Sequence, residues 1–183
     1  MRISLTREEI DYASSIGIRR QRASTRRGDT DYMSRRTDRQ TADIQGACGE
    51  YAAAKVLFEL AGIELDPNRF KLGVNTYNSK PDVAVPGVGG FEIKSTRTRP
   101  GDRYFGMTFS GKDLVSKDEP FVLIRMLDRE SLVDWEIVGW CSTDQACDLL
   151  RDGIASATSH APGHTTGIFV PGEALNPIQE FFP

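Results

Sequence analysis

Small and apolar residues recur at helical spacing over residues 41–61, and the run stops at Gly62, a residue suited to the left-handed position just past a helix. Farther along, short β-branched and aromatic runs bounded by turn residues predict strands at 70–77, 82–86, 90–96, 121–126, 135–141 and 167–170. A short helix is expected over 111–116, and another, capped by Thr143, runs to about Leu150. Near the start, 6–18 reads as a short helix with Thr6 and Glu9 forming a capping box. The Arg/Ser/Thr/Gly stretch after it has few apolar residues and no period. Residues 1–36 therefore read as an arginine-rich, partly flexible arm ahead of a domain over 37–183. The segment 156–166, rich in Ser, Pro, Gly and His, reads as a loop, and no internal repeat is visible. Helix, hairpin, helix and further strands together predict an α/β (α+β) fold, a central mixed sheet flanked by helices.

Composition changes this picture little. With 183 residues, 39% hydrophobic and 27% charged, the chain has the size and balance of one water-soluble domain. No apolar run approaches bilayer length, and Met1 to Glu9 lacks the apolar stretch of a secretory signal, so no membrane association is expected. Three cysteines (Cys48, Cys141, Cys147) fit neither a disulfide framework nor a metal-ligand spacing, and a reducing cytoplasm is the expected compartment. Charge is uneven. Arg19 to Arg39 holds eight arginines against three acids, a local +5, so a net charge of −3 leaves −8 on the remainder. Such an arm suits salt-dependent contact with a polyanion, docking to a protein, or a solvated linker.

Glu50 is out of place in this pattern. At about 100° per residue, Gly46, Ala47, Ala53, Ala54 and Leu57 all fall within roughly 60° of it, while Lys55 and Glu59 lie on the opposite side. A carboxylate on the small, apolar face of a buried helix requires a cation or several donors. A divalent ion and an internal arginine both meet that need. The hairpin adds two more acids. Pro86-Gly87-Val88-Gly89-Gly90 is a turn between two strand-like runs. If Val85 opposes Phe91, alternation puts Asp82, Ala84, Glu92 and Lys94 on one face and Val83, Val85, Phe91 and Ile93 on the other, and any even change of register preserves this. Two converging carboxylates bind a hard cation such as Mg²⁺ through oxygen, with Mn²⁺ as a substitute, and a neighbouring ammonium can orient water or stabilise charge on a phosphate. An Asp82–Lys94 salt bridge on an exposed sheet face explains the hairpin alone, but leaves Glu50 unexplained.

Pro81-Asp82, a spacer, then Glu92-Ile93-Lys94, preceded by Gly46-Ala47-Cys48-Gly49-Glu50-Tyr51-Ala52-Ala53-Ala54-Lys55, resembles the PD-(D/E)xK nuclease superfamily of restriction enzymes, junction resolvases and small phage-type nucleases. The resemblance covers about Thr41 to Thr96. It implies a restriction-endonuclease-like αβββαβ core and a metal-dependent nuclease acting on phosphodiester bonds, with DNA the favoured substrate. Asp82, Glu92 and Lys94 would be catalytic. Glu50, Asp82, Glu92 and the Ile93 backbone carbonyl would hold the metal. A phage-encoded member would act in the host cytoplasm, and cutting both strands would favour a homodimer. The alternative is a catalytically silent protein of the same fold that binds nucleic acid or a protein partner.

Ser95, Thr96, Arg97, Arg99 and Arg103 follow the lysine directly and, with Thr98, Tyr104 and Phe105, could line a groove for phosphates and a stacked base; Lys112 could approach from the next helix. The same stretch also reads as an ordinary polar loop. His160 and His164 flank Pro162-Gly163, which forbids a regular helix, and read as loop histidines without a metal. Cys48, Trp135, Trp140 and Phe169 read as core.

Overall fold

The computed structural model describes residues 1–27, 39–66, 70, 72, 81–103, 105–116, 119–128, 131–158 and 167–182. Its strands are β1 (Arg2–Ser4), β2 (Val83–Val85), β3 (Gly89–Thr96), β4 (Gly106–Phe109), β5 (Phe121–Met126), β6 (Asp134–Cys141), β7 (Ser156–Thr158) and β8 (Gly167–Pro171). Its helices are α1 (Arg7–Arg27), α2 (Arg39–Leu60), α3 (Gly111–Ser116) and α4 (Thr143–Arg151), with short 3-10 turns at Gly172–Ala174 and Ile178–Phe181. The fold is α+β. A mixed five-stranded sheet runs β1-β6-β5-β3-β2, and a second sheet runs β4-β8-β7. Among the described residues no helix is long and apolar enough to cross a membrane.

β3 and β5 pair in parallel, so the chain must cross over between them, and it does so through β4 and α3. From α2 to β5 the element order is αβββαβ. β4, however, leaves the main sheet to pair with β8. The second sheet was not foreseen. Its strands are short, and β4 finds its partner far along the chain, which leaves little local pattern to read.

The main sheet buries both faces. On one, Ile93, Val122, Ile124, Met126, Trp135 and Ile137 pack against α2. Gly49 makes the close approach possible: a Cβ there would sit 3.0 Å from the Ser95 Cβ and 3.3 Å from the Trp135 ring. On the other face, Phe121, Leu123 and Cys141 meet Met107, Phe109, Ile168 and Val170 of the second sheet and Ala146 of α4. Trp135 is fully buried, whereas Trp140 is half-buried and stacks edge-on with Phe181 at 5.1 Å between ring centres. Phe169 is half-buried, its ring close against Gly106. Cys48 is core, with burial raising its thiol pKa to about 11.

Several expectations need correction. Residues 1–27 are no separate arm. β1 pairs with β6, and Leu5, Ala13 and Ile16 belong to the same core as α2. The capping box is present, with Thr6 N donating to Glu9 Oε2 at 2.7 Å and Glu9 N to Thr6 Oγ1 at 3.2 Å. The helix it starts runs on through Arg19, Arg20 and Arg22 to Arg27, where a flexible stretch was expected. Ser142, not Thr143, caps α4, in a reciprocal box with Gln145. Phe70 and Leu72 are not in a strand, and the rest of the expected strand at 70–77 lies outside the described residues. So do Arg35, Arg36, Tyr104, His160 and His164. Ser156 to Thr158 form β7, not loop.

Candidate functional site

The hairpin forms in a register shifted by two from the one expected: Val83 pairs with Phe91 and Ala84 with Gly90. An even shift keeps the faces. Extended one step, it brings Asp82 opposite Glu92, closer than the sequence alone implied. Asp82 Oδ2 accepts a hydrogen bond from Ile93 N at 2.9 Å, which joins the start of β2 to β3. Glu92 is buried, only 5% exposed. Asp82 is half-buried and walls a cavity of about 460 Å³ shared with Phe58, Leu65, Phe70, Pro81 and Ala84, which Glu50, Glu92 and Lys94 do not line.

Glu50 points inward from α2 and is 8% exposed. Its partner is Arg20 of α1, whose Nη1 donates to Oε1 at 2.5 Å and Nη2 to Oε2 at 2.6 Å, a bidentate pair almost sealed from solvent. Burial pushes the Glu50 carboxyl up, the Arg20 hydrogen bonds oppose this, and the Asp82 and Glu92 charges add to the rise, so the group stands at about 7. Burial disfavours the Arg20 charge, but Glu50, with further help from Asp82 and Asp43, raises its pKa overall. Asp82 and Glu92 thus both lie within electrostatic reach of Glu50. Among the described residues, however, no three His, Cys, Asp or Glu side chains are arranged as a ready metal-ligand group. In this arrangement Glu50 is turned to the guanidinium and Asp82 to a backbone N–H.

Lys94 leaves β3 on the face turned to α3. Its Nζ donates to Asp113 Oδ2 at 3.1 Å and lies 5.3 Å from the centre of the Phe121 ring. Among the described residues Lys94 thus pairs with Asp113 and not with Asp82. Asp113 also accepts from Ser110 N at 2.8 Å and Ser110 Oγ at 2.9 Å. Burial works against the Asp113 charge, yet the Ser110 N–H and Lys94 hold its carboxyl below the usual range.

The proposed phosphate-contact residues divide. Ser95 and Thr96 are half-buried, with Ser95 under α2 against Gly49. Arg97 is half-buried and its Nε donates to Gln45, a buried amide on α2. Arg99 and Arg103 are exposed, and Asp102 accepts from the Arg99 backbone N–H at 2.8 Å. The Lys112 side chain lies outside the described residues. Phe105 is buried, with the Arg125 guanidinium 5.8 Å from its ring centre, so it offers no open surface for a base.

Arg20, Asp113 and Gln45 were missed as members of the site. The signal for Arg20 was present: Ala13, Ile16, Gly17 and Arg20 follow i, i+3, i+4, i+7, one helical face whose last member is charged. Ser110-x-x-Asp113 is likewise a capping pattern. Compared with family models, curated proteins and solved structures, the chain matches none.

Proposed function

We propose that this protein is a divalent-metal-dependent nuclease that hydrolyses phosphodiester bonds, with DNA as its substrate, in the cytoplasm. The observation that supports this best is the crowding of three acids. Glu50 is driven to about 7 by burial and by Asp82 and Glu92 even with a guanidinium bound to both its oxygens. An oxygen-only donor set carrying excess negative charge fits Mg²⁺ or Mn²⁺. Asp82 and Glu92 would hold the ion, with the Ile93 carbonyl between Glu92 and Lys94, and Glu50 beside them. A bound divalent ion supplies neutralisation of the charge that builds on the phosphate.

The chain's own groups do the rest. Lys94, fixed by Asp113, presents an ammonium on the side of β3 shared with Glu92, where it can hold a phosphate oxygen or the attacking water. Water oxygen bonds to phosphorus, the phosphorus–oxygen bond to the leaving sugar breaks, and that oxygen takes up a proton. Arg97, steadied by Gln45, and the exposed Arg99 and Arg103 follow on the same stretch and suit contacts to the flanking phosphates.

A second reading has its own support. Arg20 on Glu50 and Asp113 on Lys94 satisfy both groups within the chain, as in a silent relative that binds nucleic acid or protein. Incubation with plasmid, linear and branched DNA and with RNA, in Mg²⁺ or Mn²⁺, separates the two. Cleavage that disappears with chelator, with Asp82→Asn and with Lys94→Ala supports the nuclease. Cleavage that survives either substitution, or binding with no cleavage of any substrate, refutes it.

A further inference from the structure

The acidic centre already contains a cation. Gly17 of α1 lies so close to α2 that a Cβ there would come 2.6 Å from the Ile44 Cα. One turn on, that contact delivers Arg20 into the space before Glu50, where the residue is 9% exposed. Its two terminal nitrogens take one oxygen each, and Asp82 also acts on its charge. A surface ion pair would yield easily to a competitor. This one is buried, planar and doubly bonded, and it occupies one acceptor position on each Glu50 oxygen.

We propose that Arg20 is the resident counter-cation of the acidic centre, and that a divalent ion entering beside Asp82 and Glu92 competes with it for Glu50. The inference rests on the metal-dependent reading above. A guanidinium and a dication sharing one carboxylate repel, so an ion that takes Glu50 as a ligand has to break the Arg20–Glu50 pair. Arg20 thereby allows the centre to fold without metal, at the expense of metal affinity. The C-terminal half of α1, which carries Arg20, becomes the part of the fold that responds when metal arrives.

Calorimetric titration of the full chain with Mn²⁺ at pH 8 tests this in wild type, Arg20→Gln and Arg20→Lys. Loss of the charge in Arg20→Gln tightens binding by about tenfold or more, while Arg20→Lys, which keeps the charge, stays near wild type. Equal or weaker binding by Arg20→Gln overturns the proposal, since it would mean that Arg20 supports the ligand set. Should Arg20→Gln not fold, NMR of the wild type decides. Mg²⁺ should shift the Arg20 Nε–H resonance and speed its exchange with solvent, and an unchanged, protected resonance in the presence of bound Mg²⁺ overturns the proposal. If wild type cleaves DNA with Mg²⁺ and neither measurement moves, the inference falls and the nuclease reading stands. If neither wild type nor Arg20→Gln takes up Mn²⁺ or Mg²⁺, both fall.

Discussion

Glu50→Gln separates two opposing forces on one side chain. Burial and the neighbouring acids favour a neutral Glu50, whereas Arg20 favours the carboxylate, and the balance places the folded-state pKa at about 7 against an ordinary 4.5. The folded pKa is raised. The favourable contribution is therefore complete below about pH 4.5 and is lost as pH climbs through about 7, because the folded chain holds a proton that the unfolded chain has released. The gap of about 2.5 pH units, at about 1.4 kcal/mol each, amounts to about 3 kcal/mol as an upper figure. Urea denaturation of wild type and Glu50→Gln at pH 5, 6, 7 and 8, without metal, measures it. The stability of wild type relative to the variant should decline steadily across this range. A flat difference, or one that grows in favour of wild type, would show that Arg20 keeps Glu50 ionised throughout and that the crowding of acids is too weak to matter. Repeating the series in saturating Mg²⁺ should remove the decline.

Other expected outcomes test the joints around this centre. Gly17→Ala should cost about 1–3 kcal/mol in urea denaturation, because the new methyl meets α2 backbone and not a yielding side chain; unchanged stability would mean that the two helices separate freely. Asp113→Asn should cost about 1–2 kcal/mol at neutral pH, since the charge accepts from both Ser110 and Lys94. Because the Asp113 pKa is lowered, its contribution is present above about 3.8 and lost as pH falls through the folded value, so the variant should lose less stability than wild type on acidification.

The sequence was most legible where local signals agreed. The hairpin turn and the alternation on either side located β2 and β3, and the even register shift left every face assignment intact. Thr6 and Glu9 located the start of α1, because a capping box needs only four residues to declare itself. Its end was misread. Arginine, serine and threonine after Ile18 look like linker composition, yet helix packing there depends on one face alone, and that face continues through Gly17 to Arg20. β1, β4 and β7 escaped for a different reason. Each is three or four residues long, and β1 and β4 are stabilised by partners distant in sequence, so a run this short announces little by itself. Glu50 was flagged as a buried carboxylate in need of a cation. Which cation depended on a tertiary contact between α1 and α2 that no single helical pattern contains.

Three charged groups of the centre are compensated from different elements: Glu50 on α2 by Arg20 on α1, Asp82 before β2 by the Ile93 N–H of β3, and Lys94 on β3 by Asp113 on α3. The groups proposed for chemistry are therefore also the joints of the fold, which governs how their roles can be tested. Truncating Asp82 to alanine removes an acceptor from a strand N–H as well as a metal ligand, so lost activity would have two explanations. Asparagine keeps an oxygen for Ile93 and removes only the charge. It also relieves Glu50 of the larger source of repulsion, so Asp82→Asn should be at least as stable as wild type at pH 8 without metal while losing cleavage. A destabilised Asp82→Asn would mean that the Asp82 charge is needed to hold Arg20, and that the centre is first a structural ion network.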